Sequence, residues 1–174
     1  NPLHALFPDV PEHASPYSPS SRAWFNTLYL DVEAIADFAE CAEARALVHT
    51  PPFQARLRAL RAAEQVDHRG VAEAKSQVLE RLYDHFRSRH LDRNSERARA
   101  FRGFQAGHGE SLRAQALFEA LQEHFRAQDS TVWGWPAWPE AYRDRRAAEV
   151  KAFCEAHIER VEFFEYLQWQ TAGQ

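Results

Sequence analysis

The stretch VAEAKSQVLERLYDHF, residues 71 to 86, decides the fold class. Val71, Ala74, Val78, Leu82 and Phe86 recur at spacings of three and four, which places one apolar stripe along a long helix and turns the charged residues between them to water. That period continues on both sides of the stretch. Thr50 followed by Pro51 is a helix start, because proline at the first helical position gives up an N–H that has no partner there. This helix is expected to run to about Ala63, with a polar break from Gln65 to Gly70. Further upstream, Leu28, Tyr29 and Leu30 are expected to form a short extended piece, and Asp31 to cap a helix beginning at Val32.

Downstream, Asn94 or Ser95 should open a helix containing Phe101 and Phe104, which Gly107 and Gly109 are expected to end through left-handed backbone. Ser111 then caps a segment with Leu112, Ala116, Leu117, Ala120, Leu121 and Phe125. A last helix is expected from Ala147 to about Trp169. Its apolar stripe widens until Val161, Phe163, Phe164, Tyr166, Leu167 and Trp169 point in nearly every direction. A helix apolar on all sides is buried on all sides, so the sequence predicts that a partner, or a further part of the same protein, covers this end.

The N-terminus reads differently. Residues 1 to 22 hold five of the nine prolines, Pro2, Pro8, Pro11, Pro16 and Pro19, which is expected to exclude regular structure and to give an extended, loop-like path. The expected organisation is an extended Pro/Ser-rich segment over residues 1–31, carrying the loop SPYSPSSR, followed by a multi-helix subdomain over 32–174. The fold class is mainly α.

Composition narrows the function. With 174 residues, 45% hydrophobic, the chain can bury a core of its own. A net charge of -4 gives no positive surplus for a phosphate backbone, so nucleic acid is not an expected partner. Only two of the 21 basic residues are lysine, and the arginines are scattered along amphipathic stretches as solvated helix faces are. No run approaches the length of a membrane span. Cys41 and Cys154 lack CxxC spacing, which predicts free thiols in a reducing compartment, the cytoplasm. A chain without methionine that begins Asn-Pro-Leu-His is expected to be a piece of a longer one.

Motifs for chemistry are sparse. There is no HExxH, and His85 and His90, five apart, do not share the face of an α-helix as i, i+4 ligands would. His68, His108 and His124 are isolated, and no metal or cofactor is expected. Glu33, Asp37 and Glu40 lie at helical spacing, which a wet helix face explains. No nucleophile elbow, phosphate loop or dinucleotide fingerprint occurs. The densest aromatic block is VWGWPAWPEAY, residues 132 to 142, whose Trp133, Trp135 and Trp138 suit either the wedge between helices or the face of a sugar ring. Packing is the preferred reading of the three.

Taken together, these stretches resemble the bacterial 4-α-glucanotransferases of glycoside hydrolase family 77. NPLHALFP, residues 1 to 8, and HASPYSPSSRAWFNTLYLDVEAI, residues 13 to 35, are similar to the family segment after the second barrel strand. Asn26 and the LYLD run fall at the family's spacing. VWGWPAWPEAY and FFEYLQW, residues 163 to 169, resemble a second block in the right order. Between them, only Val66, Asp67, His68 and Lys75 carry the likeness, and His68 stands where the family usually has tyrosine.

The resemblance implies transfer of maltooligosaccharides between α-1,4-glucans by a retaining double displacement in an elaborated (β/α)8 barrel. A barrel takes about 250 residues, so this chain cannot contain one. It is expected to be a helical insertion excised from such a barrel enzyme, with the catalytic carboxylates elsewhere and no activity alone. Tyr17 matches the tyrosine that stacks on glucose at a donor subsite, with Ser15 and Ser18 flanking it as weaker binding candidates. The implied partners are a maltooligosaccharide or α-1,4-glucan and the remainder of the barrel. The other reading is a non-catalytic helical interaction or glucan-docking module, motivated by the apolar C-terminal helix.

Overall fold

A computed structural model describes residues 3–7, 9–13, 15 and 17–174. Asn1, Pro2, Pro8, Ala14 and Pro16 lie outside the described residues, and with them three of the five N-terminal prolines. The rest of the chain is mainly α: α1 (Ala36–Glu40), α2 (Ala42–His49), α3 (Pro51–Ala62), α4 (His68–Phe86), α5 (Glu96–Gln128), α6 (Ala148–Ala156) and α7 (Ile158–Ala172). A two-stranded antiparallel sheet, β1 (His4–Ala5) and β2 (Ser21–Phe25), precedes them, so the proline-rich N-terminus does hold regular structure, at positions where no proline stands. No helix among the described residues is long and apolar enough to cross a membrane.

Helix starts follow local chemistry. Thr50 Oγ1 accepts from the Phe53 N–H with Pro51 at the first position, Asp67 Oδ1 accepts from the Gly70 N–H at 2.8 Å, and Ser95 Oγ accepts from the Ala98 N–H. Each satisfies a first-turn donor that the helix itself cannot reach. Cys41 serves in the same way, its Sγ accepting from the Ala44 N–H at the start of α2.

Several expectations need correction. Leu28 and Tyr29 fall in a 3-10 turn, Thr27–Tyr29, capped by Asn26, and the strand lies earlier, at Ser21–Phe25. Asp31 does cap, but what it caps is a second 3-10 turn, Val32–Ala34. Gly107 does not stop α5. The chain stays helical until Gly109, which takes φ +50° and ψ -132°, and resumes directly beyond it, so α5 is two arms joined at one glycine. The expected last helix is likewise two, divided at His157 (φ -118°, ψ 30°).

The expectation that something outside the chain covers the C-terminal helix is overturned. Val161, Phe163, Phe164, Tyr166 and Leu167 are all buried by this chain itself. α7 lies along α5 and touches α4, β2 and the Thr27–Tyr29 turn, so elements from both ends of the sequence wrap it. At its centre Phe86, Phe101, Tyr166 and Trp169 stack with ring centroids 5.1 to 5.5 Å apart in their closest pairs, within the range where aromatic pairs attract.

Polar residues tie this core together. Asp37, fully buried, receives two hydrogen bonds of 2.6 Å from Arg97 and one of 2.7 Å from the Tyr166 hydroxyl. It sits in the first turn of α1, on no wet face. Burial works against the Arg97 charge, yet the bonds and charge of Asp37 outweigh it and raise the guanidinium pKa; burial and the same carboxylate lift the Tyr166 phenol well above its ordinary value. Glu165, also buried, accepts from Gln105 in the first arm of α5 and lies 3.0 Å from Arg113 in the second. One carboxylate thus clasps both arms across the glycine break.

Removing Asp37 leaves a partly buried guanidinium and a buried hydroxyl without their carboxylate. Asp37→Ala should lower the unfolding free energy by about 3–5 kcal/mol, and Tyr166→Phe by about 2 kcal/mol. Urea unfolding followed by far-UV circular dichroism measures both; an Asp37→Ala loss under 1 kcal/mol would contradict the assignment.

Candidate functional site

The stretch quoted for its serines and prolines leads into β2, its last two residues, Ser21 and Arg22, being the first of that strand. The Ser20 N–H donates to the Ala5 carbonyl at 2.8 Å and Ser20 Oγ donates to Leu6 O, which closes its base. Within it the Ser18 N–H donates to Ser15 O at 3.2 Å and the Tyr17 N–H reaches Ser15 Oγ at 3.4 Å. These bonds turn the chain so that the Tyr17 side chain points outward, 88% exposed. Ser15 and Ser18 are exposed beside it. The structure therefore brings the three sequence-predicted residues together on one tip, with the Ser15 hydroxyl and carbonyl engaged by the loop's own backbone.

Side chains from the helices fix the strand and turns that follow the tip, a role that the sequence reading assigned to none of them. Gln168, buried in α7, accepts from the Phe25 N–H at 3.1 Å and donates to the Phe25 carbonyl at 2.9 Å, so its amide pairs with β2 as a neighbouring strand would. Gln174 repeats this on Asp31, accepting from its N–H and donating to its carbonyl, both at 2.9 Å. Lys75 donates to Leu28 O and Leu30 O at 2.7 and 2.6 Å, and burial lowers its pKa, with Asp31 opposing. Lys75 is the member of the weak central element that touches the N-terminal segment most directly.

The segment before the tip rests on α5 and the tryptophan block. Phe7 and His13 pack on Trp133 with centroids 5.8 and 4.4 Å apart. Gln122, buried in α5, is the hub. Its Oε1 accepts from the Trp138 indole at 3.0 Å and the Gly134 N–H at 2.9 Å, while its Nε2 donates to Asp9 Oδ2 at 2.8 Å. Gly134 has φ +75°, the left-handed backbone that presents its N–H to this amide.

The three tryptophans part company here. Trp138 is 3% exposed and stacks on Phe118 and Phe125, as packing requires. Trp133 and Trp135 are about half exposed, 46% and 54%. Trp135 lines an open groove of about 510 Å³ with Tyr142, Arg113, Glu110 and Arg143.

Two carboxyls near Gln122 are out of the ordinary. Glu119, 3% exposed, receives one bond, from Gln115 Nε2 at 2.9 Å, and its Oε2 has no partner. Burial pushes its pKa up to about 8; the Gln115 bond opposes the rise, and Asp9 and Glu123 add to it. Burial also raises Asp9, against the Gln122 bond and Arg126. The sequence carried a signal for this: Gln115, Glu119 and Gln122 fall at helical spacing on the same face as Leu112 and Ala116, a polar seam inside an apolar stripe.

His85 and His90 are also brought together, although they are five residues apart. The residues Arg87–Leu91 form a π turn, whose i to i+5 bonding puts fifth neighbours on one face. Their ring centroids lie 6.4 Å apart. His68, by contrast, is the first residue of α4 and approaches neither the loop nor this pair by any bond among the described residues.

A family model described as 4-alpha-glucanotransferase matches residues 1–174. The 4-alpha-glucanotransferase of Haemophilus influenzae is 37% identical over 178 residues, covering all of this chain and 25% of that protein. Those of Mycobacterium bovis and Mycobacterium tuberculosis are 29% identical over 188 residues, again across the whole chain and 23% of the relative. The chain thus spans about a quarter of the length of the curated relatives it matches.

The buried Glu119 makes stability depend on pH. Its folded-state pKa stands above the unfolded value, so its contribution is fully present below about pH 4.5 and is lost as pH rises through about 8. Glu119→Gln keeps the shape and cannot ionise. Its melting temperature should equal that of the unmodified chain at pH 4 and exceed it by roughly 10 °C at pH 8.5. Parallel melting curves at both pH values would refute the assignment of a protonated acid.

Proposed function

Since the chain belongs to the 4-alpha-glucanotransferase family along its whole length, we propose that it supplies a donor-subsite loop and supporting helices to an enzyme that moves maltooligosaccharides between α-1,4-glucans. The reaction is a retaining double displacement, in which one carboxylate attacks the anomeric carbon and another acts as acid and then base. Those carboxylates belong to the remainder of a (β/α)8 barrel, and residues 1–174 are inactive alone. Residues 1–31 form the substrate-loop segment and 32–174 the helical subdomain that carries it. The setting is the cytoplasm, a reading that two free thiols support.

The observation that carries this reading is the Tyr17 ring, almost fully exposed on a loop whose base is fixed at several points. An exposed aromatic ring offers a sugar a flat apolar face, and a fixed loop base leaves less conformational freedom to lose on binding. Barrel enzymes build their sites on such loops. Ser15 and Ser18 add hydroxyls beside the ring, Ser15 chiefly as a shaper of the turn. Support for the alternative, a docking module built around the apolar C-terminus, falls away because the chain buries that helix itself.

Placed in a longer polypeptide that includes the barrel, Tyr17→Ala should lower kcat/KM on maltotriose about fivefold, the effect of losing roughly 1 kcal/mol of stacking, while Tyr17→Phe stays within twofold. A Tyr17→Ala variant indistinguishable from its parent removes Tyr17 from the subsite. Disproportionation of maltotriose by the 174-residue chain alone would place the nucleophile within these residues.

A further inference from the structure

Outside the loop and its supports, one cluster has donor atoms without a task. Glu40 ends α1, His85 lies in the last turn of α4, and His90 sits in the π turn that follows. His90 Nε2 is 3.5 Å from Glu40 Oε2 and His85 Nε2 is 3.9 Å from the same oxygen; the three atoms all lie within 4.8 Å of one another. Both imidazole nitrogens are buried without a hydrogen-bond partner.

We propose that Glu40, His85 and His90 bind one divalent transition-metal ion of the zinc type, with a fourth position open to water. The separations suit this. Ligand atoms at about 2.0 Å around a tetrahedral ion stand about 3.3 Å apart, so small side-chain rotations close the set. Two imidazoles and one carboxylate favour zinc, cobalt or nickel over calcium or magnesium, which prefer all-oxygen shells. Glu40 is half exposed and opens one side of the site to solvent.

The surroundings orient the ligands. His90 Nδ1 lies 2.9 Å from Ser95 Oγ, and an Nδ1–H donating to that hydroxyl leaves the Nε2 lone pair facing the site. Phe86 packs on the His90 ring at 5.7 Å. Asp37 Oδ1 is 3.9 Å from His90 Nε2 but already accepts from Arg97 Nε, while the other oxygen of that carboxylate takes Tyr166. With neutral imidazoles, Glu40 and Asp37 outnumber the Arg97 charge, and a cation completes the balance. The π turn is what makes the set: in a continuous α-helix, residues 85 and 90 would diverge. A bound ion would tie α1 to the end of α4. This inference stands apart from the glucan-transfer reading.

The test is metal titration of the tag-free 174-residue chain. Zinc, measured by competition with a chromophoric chelator, should bind one per chain and raise the melting temperature. Cobalt(II) should give the visible d–d absorption of a four-coordinate site. His90→Ala and His85→Ala should each weaken zinc about tenfold or more and abolish the thermal shift, and Glu40→Gln should weaken it less. His85→Gln, with far-UV circular dichroism as a check on folding, serves if an alanine variant does not fold. No saturable binding would overturn the proposal, as histidines that merely share a proton with Glu40 would give. So would binding that survives His85→Ala and His90→Ala, or that is lost instead with His124→Ala, since His124 and His157 form another ring pair at 5.4 Å.

Discussion

Asp37 places a carboxylate where water does not reach, and much of the core is arranged to make that tolerable. Arg97 comes from the start of α5 and Tyr166 from the middle of α7, so one buried group fixes three helices that are far apart in sequence. The guanidinium then lies 4.7 Å over the Trp169 ring and packs near Phe86, which joins the polar centre to the aromatic one. A buried ion pair adds little net stability beside an apolar replacement, but it admits few alternative arrangements, because any register that separates the partners leaves a charge unpaired. Here it fits the five-residue α1 to two of the helices that build the core, α5 and α7.

The same economy recurs around it. Glu165 spans the break at Gly109, Gln122 joins the tryptophan block to Asp9, and Lys75 holds two carbonyls of the N-terminal turns. Each is a polar side chain inside an apolar stripe, each answers several backbone or side-chain groups, and each connects segments that helix propensity alone would leave unrelated. The sugar-facing role proposed for Tyr17 depends on them, since an aromatic ring on an unanchored loop would surrender much of its binding energy to ordering.

Apolar period and caps made most of this architecture legible in the sequence: the stripe from Val71 to Phe86, the starts at Thr50 and Ser95, and the break at Gly109 all follow from local chemistry. Three things did not. Tyr166 and its neighbours read as an uncovered surface because period tells how much of a helix is buried, never by what. Asp37 read as a wet carboxylate because its partners are 60 and 129 positions away. His85 and His90 read as divergent because the α period was assumed through residues that adopt a π turn. The family blocks located Tyr17 and its serines; they also contain Gln168 and Lys75, whose grip on the chain beyond the loop depends on distant backbone that no motif spells out, and Gln174 lies in no block at all.

Gln168 and Gln174 grip Phe25 and Asp31 through main-chain N–H and C=O groups alone. An amide that recognises backbone is indifferent to which side chain that backbone bears. Position 25 is therefore free to vary in chemistry while the path of the chain stays fixed, with proline refused there for want of an N–H; Asp31 is held a second time by its own carboxylate, which accepts from the Glu33 N–H. Variation along the N-terminal segment can in this way retune what the loop presents to its surroundings without loosening how it is held.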